Sequence, residues 1–367
     1  MATSDKRVVV AMSGGVDSSV AAALLVEQGY EVIGMMMRLW SDEAMGGAEH
    51  NRCCTPAQMA DAERIANHLN IPFYVLDTKD VFRATVVEYF INSHRQGITP
   101  NPCMECNRHI RFDYLLNNAL ALDADYLATG HYARIHQSEN GFFQLKRGLD
   151  DNKDQSYVLS VMGQDQLSKT LFPVGEYPKQ EVRALAAKFG LNVESKKDSQ
   201  DLCFLGHNDY RDFLQVHAPE IMEPGPIVFR DGTQIGEHSG LANYTIGQRK
   251  GLGVSYKDPL YVIAMNPYRN ALIVGTREQL GRDELTASRF NWVSNQAPVG
   301  ESFAAQVKIR YKAKAQPANV TVLSDSEIHV HFDEPQRDIT PGQGAVVYDG
   351  EVCLGGGIIQ PFANPSD

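Results

Sequence analysis

The stretch Arg7–Gly29 constrains the fold of this chain more than any other. The β-branched run Val8–Val10 predicts a short buried strand. The glycine-containing segment Ser13–Ser18 follows directly, and an alanine- and leucine-rich run then predicts a helix over 20–27, with Gly29 at its end. A strand, glycine loop and helix in this order presents backbone N–H groups and a helix N-terminus to an anion. We therefore predict a phosphate-binding loop, and the alternative is a tight turn that holds no ligand.

Strands and helices alternate after this stretch. Buried strands are predicted over 31–37, 72–76 and 125–128. The predicted helices are 57–69, 80–95, one through Ile110–Leu122, and 209–216. The segment 152–189 is also predicted to be largely helical, with a break at Pro173 and with Pro178 in the first turn of its final helix. This alternation predicts an α/β fold with a parallel sheet, whose ligand binds at the carboxyl ends of the strands.

The composition changes near Pro219, and Glu223–Pro226 is typical of a linker. Short, glycine-rich strand patterns follow, and after about residue 285 strands recur at short intervals, which predicts a small barrel or sandwich. We predict three domains: a catalytic α/β domain over 1–218, a small β-rich central domain over 219–284 and a C-terminal β-barrel over 285–367.

Composition limits the possible functions. The 367 residues carry a net charge of −11, which argues against broad nucleic-acid binding but allows a local basic surface. No apolar run approaches the ~20 residues of a membrane helix, and the N-terminus lacks the apolar core of a signal peptide, so we expect a cytoplasmic protein without membrane contact. Six cysteines in such a chain are expected to be free, catalytic or metal-bound.

Cys103 and Cys106 form a C-x-x-C pair at a predicted helix start, after a loop with two prolines. The pair has three interpretations: half of a zinc site, a redox or nucleophilic pair, or two packed small side chains. The zinc interpretation lacks a second C-x-x-C, since Cys53 and Cys54 have the wrong spacing. We assign no role to Cys53 and Cys54.

Cys203 follows the polar loop SKKDSQD, where Lys196 and Lys197 would favour a thiolate if they lay near it. The alternative is a buried cysteine without chemistry. Cys353 lies in an alternating strand pattern and is expected in the core.

Four cations alternate with apolar residues near the C-terminus. Lys308, Arg310, Lys312 and Lys314 are separated by single residues, so a strand would place all four on one face. Such a face in an acidic protein is a candidate phosphate-binding surface, and the alternative is an ordinary solvated strand face.

Short motifs resemble those of one enzyme family. SGGVDS at Ser13–Ser18 resembles the PP-loop of the ATP pyrophosphatases, which cleave ATP to AMP and pyrophosphate, and it lacks the lysine of a Walker loop. Along essentially its whole length the chain resembles the bacterial tRNA-specific 2-thiouridylases. The matching stretches are Met12–Val20, Thr99–Asn107, Ala128–Tyr132, Arg147–Tyr157, Leu171–Glu176, Lys196–Phe204, Ile246–Gly253 and Cys353–Ile359.

The resemblance implies a PP-loop domain of the adenine-nucleotide α-hydrolase type, a small central domain and a C-terminal β-barrel that contacts tRNA. It implies that ATP, with Mg²⁺, adenylates the C2 oxygen of the wobble uridine in tRNAs of the Lys, Glu and Gln type. A persulfide on Cys203 supplies the sulfur, and Cys106 releases it through a transient disulfide. The expected partners are tRNA and a persulfide sulfur-relay protein or cysteine desulfurase.

The resemblance also implies individual contacts. The ATP-contacting positions are Ala11, Met12, Ser13, Gly14, Gly15, Val16, Asp17, Ser18, Met37 and Gly130. Asn101, Pro102 and Cys103 match the loop that meets the target base, and the other tRNA contacts are His131, Lys153, Asp154, Gln155, Arg310, Tyr311 and Gln343. From the residues alone, His131 and the run Lys153–Gln155 would be ordinary structural positions.

Cys103 stands where other members carry Asp, which raises the alternative hypothesis of an iron–sulfur cluster on Cys103, Cys106 and Cys203. Two rival functions stay open: an amidating PP-loop synthetase, which needs an ammonia source, and a non-catalytic module that binds nucleotide or RNA.

Overall fold

The computed structural model describes residues 5–47, 54–196, 202–206, 209–337 and 339–362. The predicted positions Cys53 and Lys197 lie outside these ranges. Within them the strands are β1 (Arg7–Ala11), β2 (Glu31–Arg38), β3 (Phe73–Asp77), β4 (Tyr126–Ala128), β5 (Ala133–Gln137), β6 (Phe143–Arg147), β7 (Thr170–Leu171), β8 (Gly225–Val228), β9 (Gln234–His238), β10 (Tyr261–Asn266), β11 (Ala271–Gly275), β12 (Arg282–Trp292), β13 (Ser302–Lys308), β14 (Gln316–Ser324), β15 (Glu327–Gln336), β16 (Gly344–Asp349) and β17 (Val352–Ile359).

The α-helices in the same ranges are α1 (Val16–Glu27), α2 (Pro56–His68), α3 (Lys79–Phe82), α4 (Glu88–Arg95), α5 (Pro102–Glu105), α6 (Leu116–Leu120), α7 (Ser156–Leu159), α8 (Gln164–Ser168), α9 (Lys179–Lys188) and α10 (Tyr210–His217). Two π-helical stretches, Arg83–Val87 and Cys106–Leu115, join α3 to α4 and α5 to α6. None of the described helices combines the length and the apolar character that crossing a membrane requires.

The first domain is built on a five-stranded sheet in the order β3-β2-β1-β4-β7, and its strands pair in parallel. β1 lies at the centre, where Val8, Val9 and Val10 are fully buried. Val8 and Val10 pack into one hydrophobic cluster and Val9 into a second, because successive side chains of a strand point to opposite faces. The predicted α/β fold with a parallel sheet is therefore confirmed.

The prediction of a largely helical 152–189 is wrong in its first half. α7 and α8 are single turns, and β7 follows as an edge strand of the sheet. Polar side chains bond to nearby backbone and compete with a longer helix: Asp154 Oδ1 accepts the N–H of Ser156 at 3.0 Å, and Ser160 Oγ donates to Tyr157 O at 2.9 Å. Only α9 is a regular helix here, and Pro178 occupies the N-cap position, one residue before its first turn.

The central domain contains the four-stranded sheet β10-β11-β8-β9 around its own hydrophobic cluster. In the C-terminal domain, β12-β15-β14-β13-β16-β17 form a six-stranded barrel that the pairing of β12 with β17 closes. A separate cluster that includes Val320, Val330 and Val347 fills it. The predicted barrel is therefore confirmed, and Cys353 is buried as expected.

Two features of the barrel were not predicted. The hairpin β5–β6 belongs by sequence to the first domain but extends the barrel sheet, since Leu145 pairs with Cys353 of β17. In addition, β13 ends at Lys308, so Arg310, Lys312 and Lys314 lie in the following turn. The prediction that four cations share one strand face is therefore wrong.

Candidate active site

The glycine loop after β1 packs tightly on α2. Gly14 has a φ of +69°, and a Cβ at this position would lie 2.6 Å from the carbonyl oxygen of Gln58. Only glycine meets both conditions without strain. The hydroxyl of Ser18 accepts the N–H of Ser13 at 3.2 Å, which folds the loop over the start of α1. The helix begins at Val16, four residues earlier than predicted, so its N-terminus faces the loop directly.

Gly130 lets the end of β4 approach the same helix. A Cβ on Gly130 would lie 2.6 Å from the backbone N of Ser18 and 2.7 Å from the carbonyl carbon of Asp17. The two loops at the carboxyl ends of the neighbouring strands β1 and β4 are therefore in direct contact. The structure thus places Gly130 against the backbone of Asp17 and Ser18, at the end of the predicted phosphate loop.

Asp17, in the first turn of α1, is held by two side chains from other elements. Lys179 Nζ donates to Asp17 Oδ1 at 2.7 Å and to Oδ2 at 2.9 Å, and the hydroxyl of Tyr132 donates to Oδ1 at 2.7 Å. The side chain of Lys179 is 10% exposed and that of Asp17 is 30% exposed. A mostly buried cation is therefore fixed beside the loop.

Lys196 joins the loop from the other side. Its ammonium donates to Gly14 O at 2.8 Å and forms an ion pair with Asp61, and this bond is the main reason that the pKa of Asp61 is lowered. Arg183 of α9 donates to the carbonyl oxygens of Glu194 and Lys196. The chain that leads towards Cys203 is thus anchored to the glycine loop, and the ammonium of Lys196 binds Asp61.

The C-x-x-C pair lies at the start of a helix, as predicted, and this helix has a side-chain cap. The side-chain oxygen of Asn101 accepts the N–H of Met104 at 3.4 Å, and Pro102 occupies the first turn. Cys103 is exposed, and Cys106 is buried at the point where the helix widens into its π-helical stretch.

Cys203 opens the single turn Cys203–Leu205 and is half-buried. Cys106 and Cys203 both pack against the hydrophobic cluster that contains Met12 and Val16 of the glycine loop. Two cysteines that are about one hundred residues apart in sequence therefore border the same core as the predicted phosphate loop.

In the parts of the chain that the structure describes, no group of three or more His, Cys, Asp or Glu side chains is arranged to hold a metal ion. Cys103, Cys106 and Cys203 do not form such a group, so the residues do not fit an iron–sulfur cluster and we do not propose one. The zinc interpretation of the C-x-x-C pair has no support for the same reason.

The residue between the two cysteines, Glu105, connects their helix to the barrel. Its side chain is 3% exposed, and its Oε2 accepts a hydrogen bond from Arg289 Nη2 of β12 at 2.9 Å. Arg289 has a φ of +50° at a point where the register of β12 shifts, and such bulges redirect side chains. The barrel therefore holds the turn that carries Cys103 and Cys106.

The loop before the cysteines is also bound to the barrel. Gln343 Nε2 donates to Thr99 O at 2.9 Å and to Pro100 O at 3.1 Å, and the N–H of Thr99 donates to Pro341 O at 3.1 Å. The amide nitrogen of Gln343, a predicted tRNA contact, thus positions the loop that is predicted to meet the target base.

His131 is buried and neutral. Its Nε2 accepts from Arg111 at 2.7 Å and its Nδ1 bonds to Thr129 Oγ1 at 2.7 Å. Burial, with Arg111 beside it, holds the pKa of His131 well below its usual range. Gln155 pairs with the backbone of Tyr132 through Oε1 at 2.9 Å and through its own N–H at 2.8 Å. These two predicted tRNA contacts therefore support the loop after β4.

A second cluster lies where Asp154 meets the barrel. Lys308 Nζ is 4.0 Å from Asp154 Oδ2 and lies 5.8 Å and 5.7 Å from the ring centroids of Tyr157 and Tyr311. Burial, with Asp154 and Cys103 nearby, raises the pKa of Tyr311 to about 12. Tyr311 therefore lies close enough to Cys103 for electrostatic interaction.

Arg310 Nη2 donates to Ile246 O of the central domain at 3.1 Å and to Thr340 Oγ1 at 2.5 Å. Its guanidinium thus joins the barrel to the central domain. Arg310 also lines a cavity of about 280 Å³ together with Lys314 and Arg337. A basic surface is therefore present, although it is built by loops and not by one strand face.

Models of known families match the chain from end to end. A model described as "tRNA methyl transferase HUP domain" matches residues 6–207, one described as "tRNA methyl transferase PRC-barrel domain" matches 211–276, and one described as "Aminomethyltransferase beta-barrel domain" matches 282–359. The tRNA-specific 2-thiouridylase MnmA of Chloroflexus aggregans is 49% identical over 96% of this chain and 98% of the relative. The chain belongs to the tRNA-specific 2-thiouridylase family. The enzyme of the same name from Clostridioides difficile is 45% identical over 97% of this chain and 98% of its own.

Among solved structures, a 4-thiouridine synthetase in complex with RNA and bound ATP is similar over 60% of this chain and 52% of that one, with 15% identity and a TM-score of 0.35. At these values the likeness supports no statement about this chain.

In this member of the 2-thiouridylase family, sequence reasoning missed Lys179, Glu105 and Arg289. Lys179 had a signal, because a lysine in the first turn of a helix is unfavourable beside the helix dipole and therefore suggests a separate purpose. Glu105 had a weaker one, since it lies inside the C-x-x-C motif. Arg289 had none, because a β-bulge is not visible in the spacing of apolar residues.

Proposed function

We propose that this protein catalyses the ATP-dependent 2-thiolation of the wobble uridine in tRNA. The supporting observation is that Cys106, Cys203, Met12 and Val16 border one hydrophobic core. Membership of the 2-thiouridylase family agrees with this arrangement.

The first step activates the base. The urea-like C2 carbonyl is a poor electrophile, so its oxygen attacks the α-phosphorus of ATP and pyrophosphate leaves. The N–H groups of Gly14–Ser18 and the N-terminus of α1 would bind the phosphates. Asp17 is the carboxylate in this first turn and would hold Mg²⁺, which neutralises charge on the triphosphate.

The second step delivers sulfur. Cys203 carries the persulfide, received from a sulfur-relay protein or a cysteine desulfurase. The thiolate of Cys106 attacks the Sγ of Cys203, which forms a Cys106–Cys203 disulfide and releases hydrosulfide. The hydrosulfide attacks C2 and AMP leaves with the former uridine oxygen. An external dithiol then reduces the disulfide, so that each turnover consumes two electrons.

The tRNA would bind where the barrel meets the loop at Asn101–Cys103. Cys103, which is exposed, and Tyr311, which is partly exposed, lie on this side, and the basic cavity with Lys314 and Arg337 offers phosphate contacts. The target base has to leave its stack to reach the two cysteines, at a cost of a few kcal/mol. Phosphate contacts would offset that cost. With tRNA as the substrate, we expect the protein to act in the cytoplasm.

The direct test is Cys203→Ser. We expect this variant to bind ATP and tRNA like the wild type and to form no 2-thiouridine when a persulfide donor is supplied, as measured by nucleoside mass spectrometry. Cys353→Ala is the matched control, because this cysteine is buried in the barrel sheet and is not part of the glycine loop or the C-x-x-C helix. Full thiolation by Cys203→Ser would refute the assignment.

Pyrophosphate release separates the rival functions. The proposed enzyme releases pyrophosphate only with ATP and unmodified tRNA together. An amidating synthetase would do so with ammonia and a small substrate, and a binding module would release none.

A further inference from the structure

Lys179 places a mostly buried ammonium beside the predicted phosphate loop, and no part of the proposed function uses it. Its ammonium contacts both carboxylate oxygens of Asp17, which is two residues after Gly15, and its side chain is 10% exposed. A buried charge acts through a lower dielectric than a surface charge and is therefore stronger at equal distance. The ammonium is thus placed to influence any anion that the loop binds.

The surroundings fix this ammonium in place. The backbone N–H of Lys179 donates to Asp150 Oδ2 at 3.1 Å. The ring of Tyr132 lies 5.7 Å from Nζ, and the hydroxyl of the same tyrosine binds Asp17. A cation that is ordered before a ligand binds loses little entropy when it does so.

Stability alone is a poor explanation for the pair. Removing two charges from water costs about as much as their attraction returns, and apolar replacements of buried pairs are often neutral or stabilising. Lys179 also lies in the first turn of α9, where the helix dipole disfavours a positive charge. The ion pair and the unfavourable position on the helix are therefore better explained by a role in binding than by stability.

We infer that Lys179 binds the β- and γ-phosphates of ATP and stabilises the charge that develops on the leaving pyrophosphate. This inference rests on the proposed function, because it takes ATP as the nucleotide and adenylation as the step. Lys179 then contacts the leaving group while Asp17 serves the metal ion, and the two side chains form one electrostatic unit with the loop.

The test compares Lys179→Met with Lys188→Met. Lys188 lies on the same helix and makes an exposed ion pair with Glu27 at 3.0 Å, so its variant controls for the loss of a helix charge. Kd is measured for ATP with Mg²⁺ and for adenosine, and tRNA-dependent pyrophosphate release is followed in parallel. We expect Lys179→Met to weaken ATP binding about 10- to 100-fold and to slow pyrophosphate release about 100-fold or more. Adenosine binding should change less than about twofold, because adenosine has no phosphates.

If Lys179 had only a structural role, Lys179→Met would weaken the binding of ATP and of adenosine by the same factor and would lower the melting temperature. Equal losses, or unchanged ATP binding and pyrophosphate release, would overturn the inference and leave the proposed function intact. If the wild type itself releases no pyrophosphate, the proposed function and the inference fail together.

Should Lys179→Met not fold, Lys179→Arg provides the test. The guanidinium keeps the ion pair with Asp17 but displaces the cation. We then expect an unchanged melting temperature and a loss of pyrophosphate release of about tenfold or more. Retained release in that variant would overturn the inference.

Discussion

Gly130→Ala is the sharpest test of how the proposed active site is assembled. The added Cβ would lie 2.6 Å from Ser18 N, 2.7 Å from the carbonyl carbon of Asp17 and 3.0 Å from Asp17 Cβ. Ordinary contacts begin near 3.4 Å, so the end of β4 and the start of α1 must separate by about 0.5–1 Å. The first two of these atoms belong to the backbone, so no side-chain rotation relieves the contact.

We expect two consequences of this displacement. Overpacking should destabilise the first domain by about 1–3 kcal/mol. Because the displaced atoms belong to the helix N-terminus that we propose as part of the phosphate site, pyrophosphate release should fall by about 100-fold, the typical effect of a 1 Å misplacement. Both are measured on the purified variant, by thermal unfolding and by a coupled pyrophosphate assay with unmodified tRNA.

Gly281→Ala is the matched control. Gly281 is exposed, and its nearest neighbour would be Pro335 Cβ at 3.2 Å, far from the loop in sequence and in a different domain. This variant should keep wild-type pyrophosphate release. If Gly130→Ala releases pyrophosphate at the wild-type rate, the site does not require the close approach of β4 to α1.

Two further predictions concern charge. Arg289→Met leaves the buried carboxylate of Glu105 without its guanidinium partner, and because that guanidinium is half-exposed we expect the free energy of unfolding to fall by about 1–3 kcal/mol. In thermal unfolding, a double variant with Glu105→Gln should lose less stability than the sum of the two single variants. Additive losses would contradict an interaction between the two side chains. Burial lowers the pKa of His94 from 6.5 to about 4, so between these pH values the unfolded chain binds more protons than the folded chain. The free energy of unfolding therefore falls by about 3 kcal/mol as the pH drops from about 6.5 to about 4. His94→Gln should make urea unfolding less sensitive to pH between about pH 7 and about pH 4, and an unchanged pH sensitivity would disprove this role.

The local pattern was sufficient for the first strand, loop and helix. Val8–Val10 are buried on both faces and Gly14 adopts the left-handed conformation that a glycine loop requires. Such features depend on neighbours in sequence, so they are visible in it. The barrel was predictable for the same reason, because its strands alternate and recur at short intervals.

Long-range pairing could not be predicted in this way. The spacing of Lys308 and Arg310 fits a strand, yet β13 ends at Lys308. Lys308 lies near two tyrosine rings, of which that of Tyr157 is distant in sequence, and Arg310 bonds to the central domain. The bonds from Gln343 to the loop at Thr99 join residues more than two hundred positions apart. No periodicity in a single sequence records such partners.

The sheet that β6 shares with β17 has a consequence for synthesis. Leu145 pairs with Cys353, and a ribosome that adds about 5–20 residues per second makes the later strand roughly 10–40 s after the earlier one. During that interval the edge of β6 is unpaired and is a template for association with other chains. The β5–β6 hairpin therefore reaches its final partner only when β17 has been made and the barrel closes. A nascent chain whose synthesis stops before β17 keeps the edge of β6 exposed, and cellular quality control can recognise that edge.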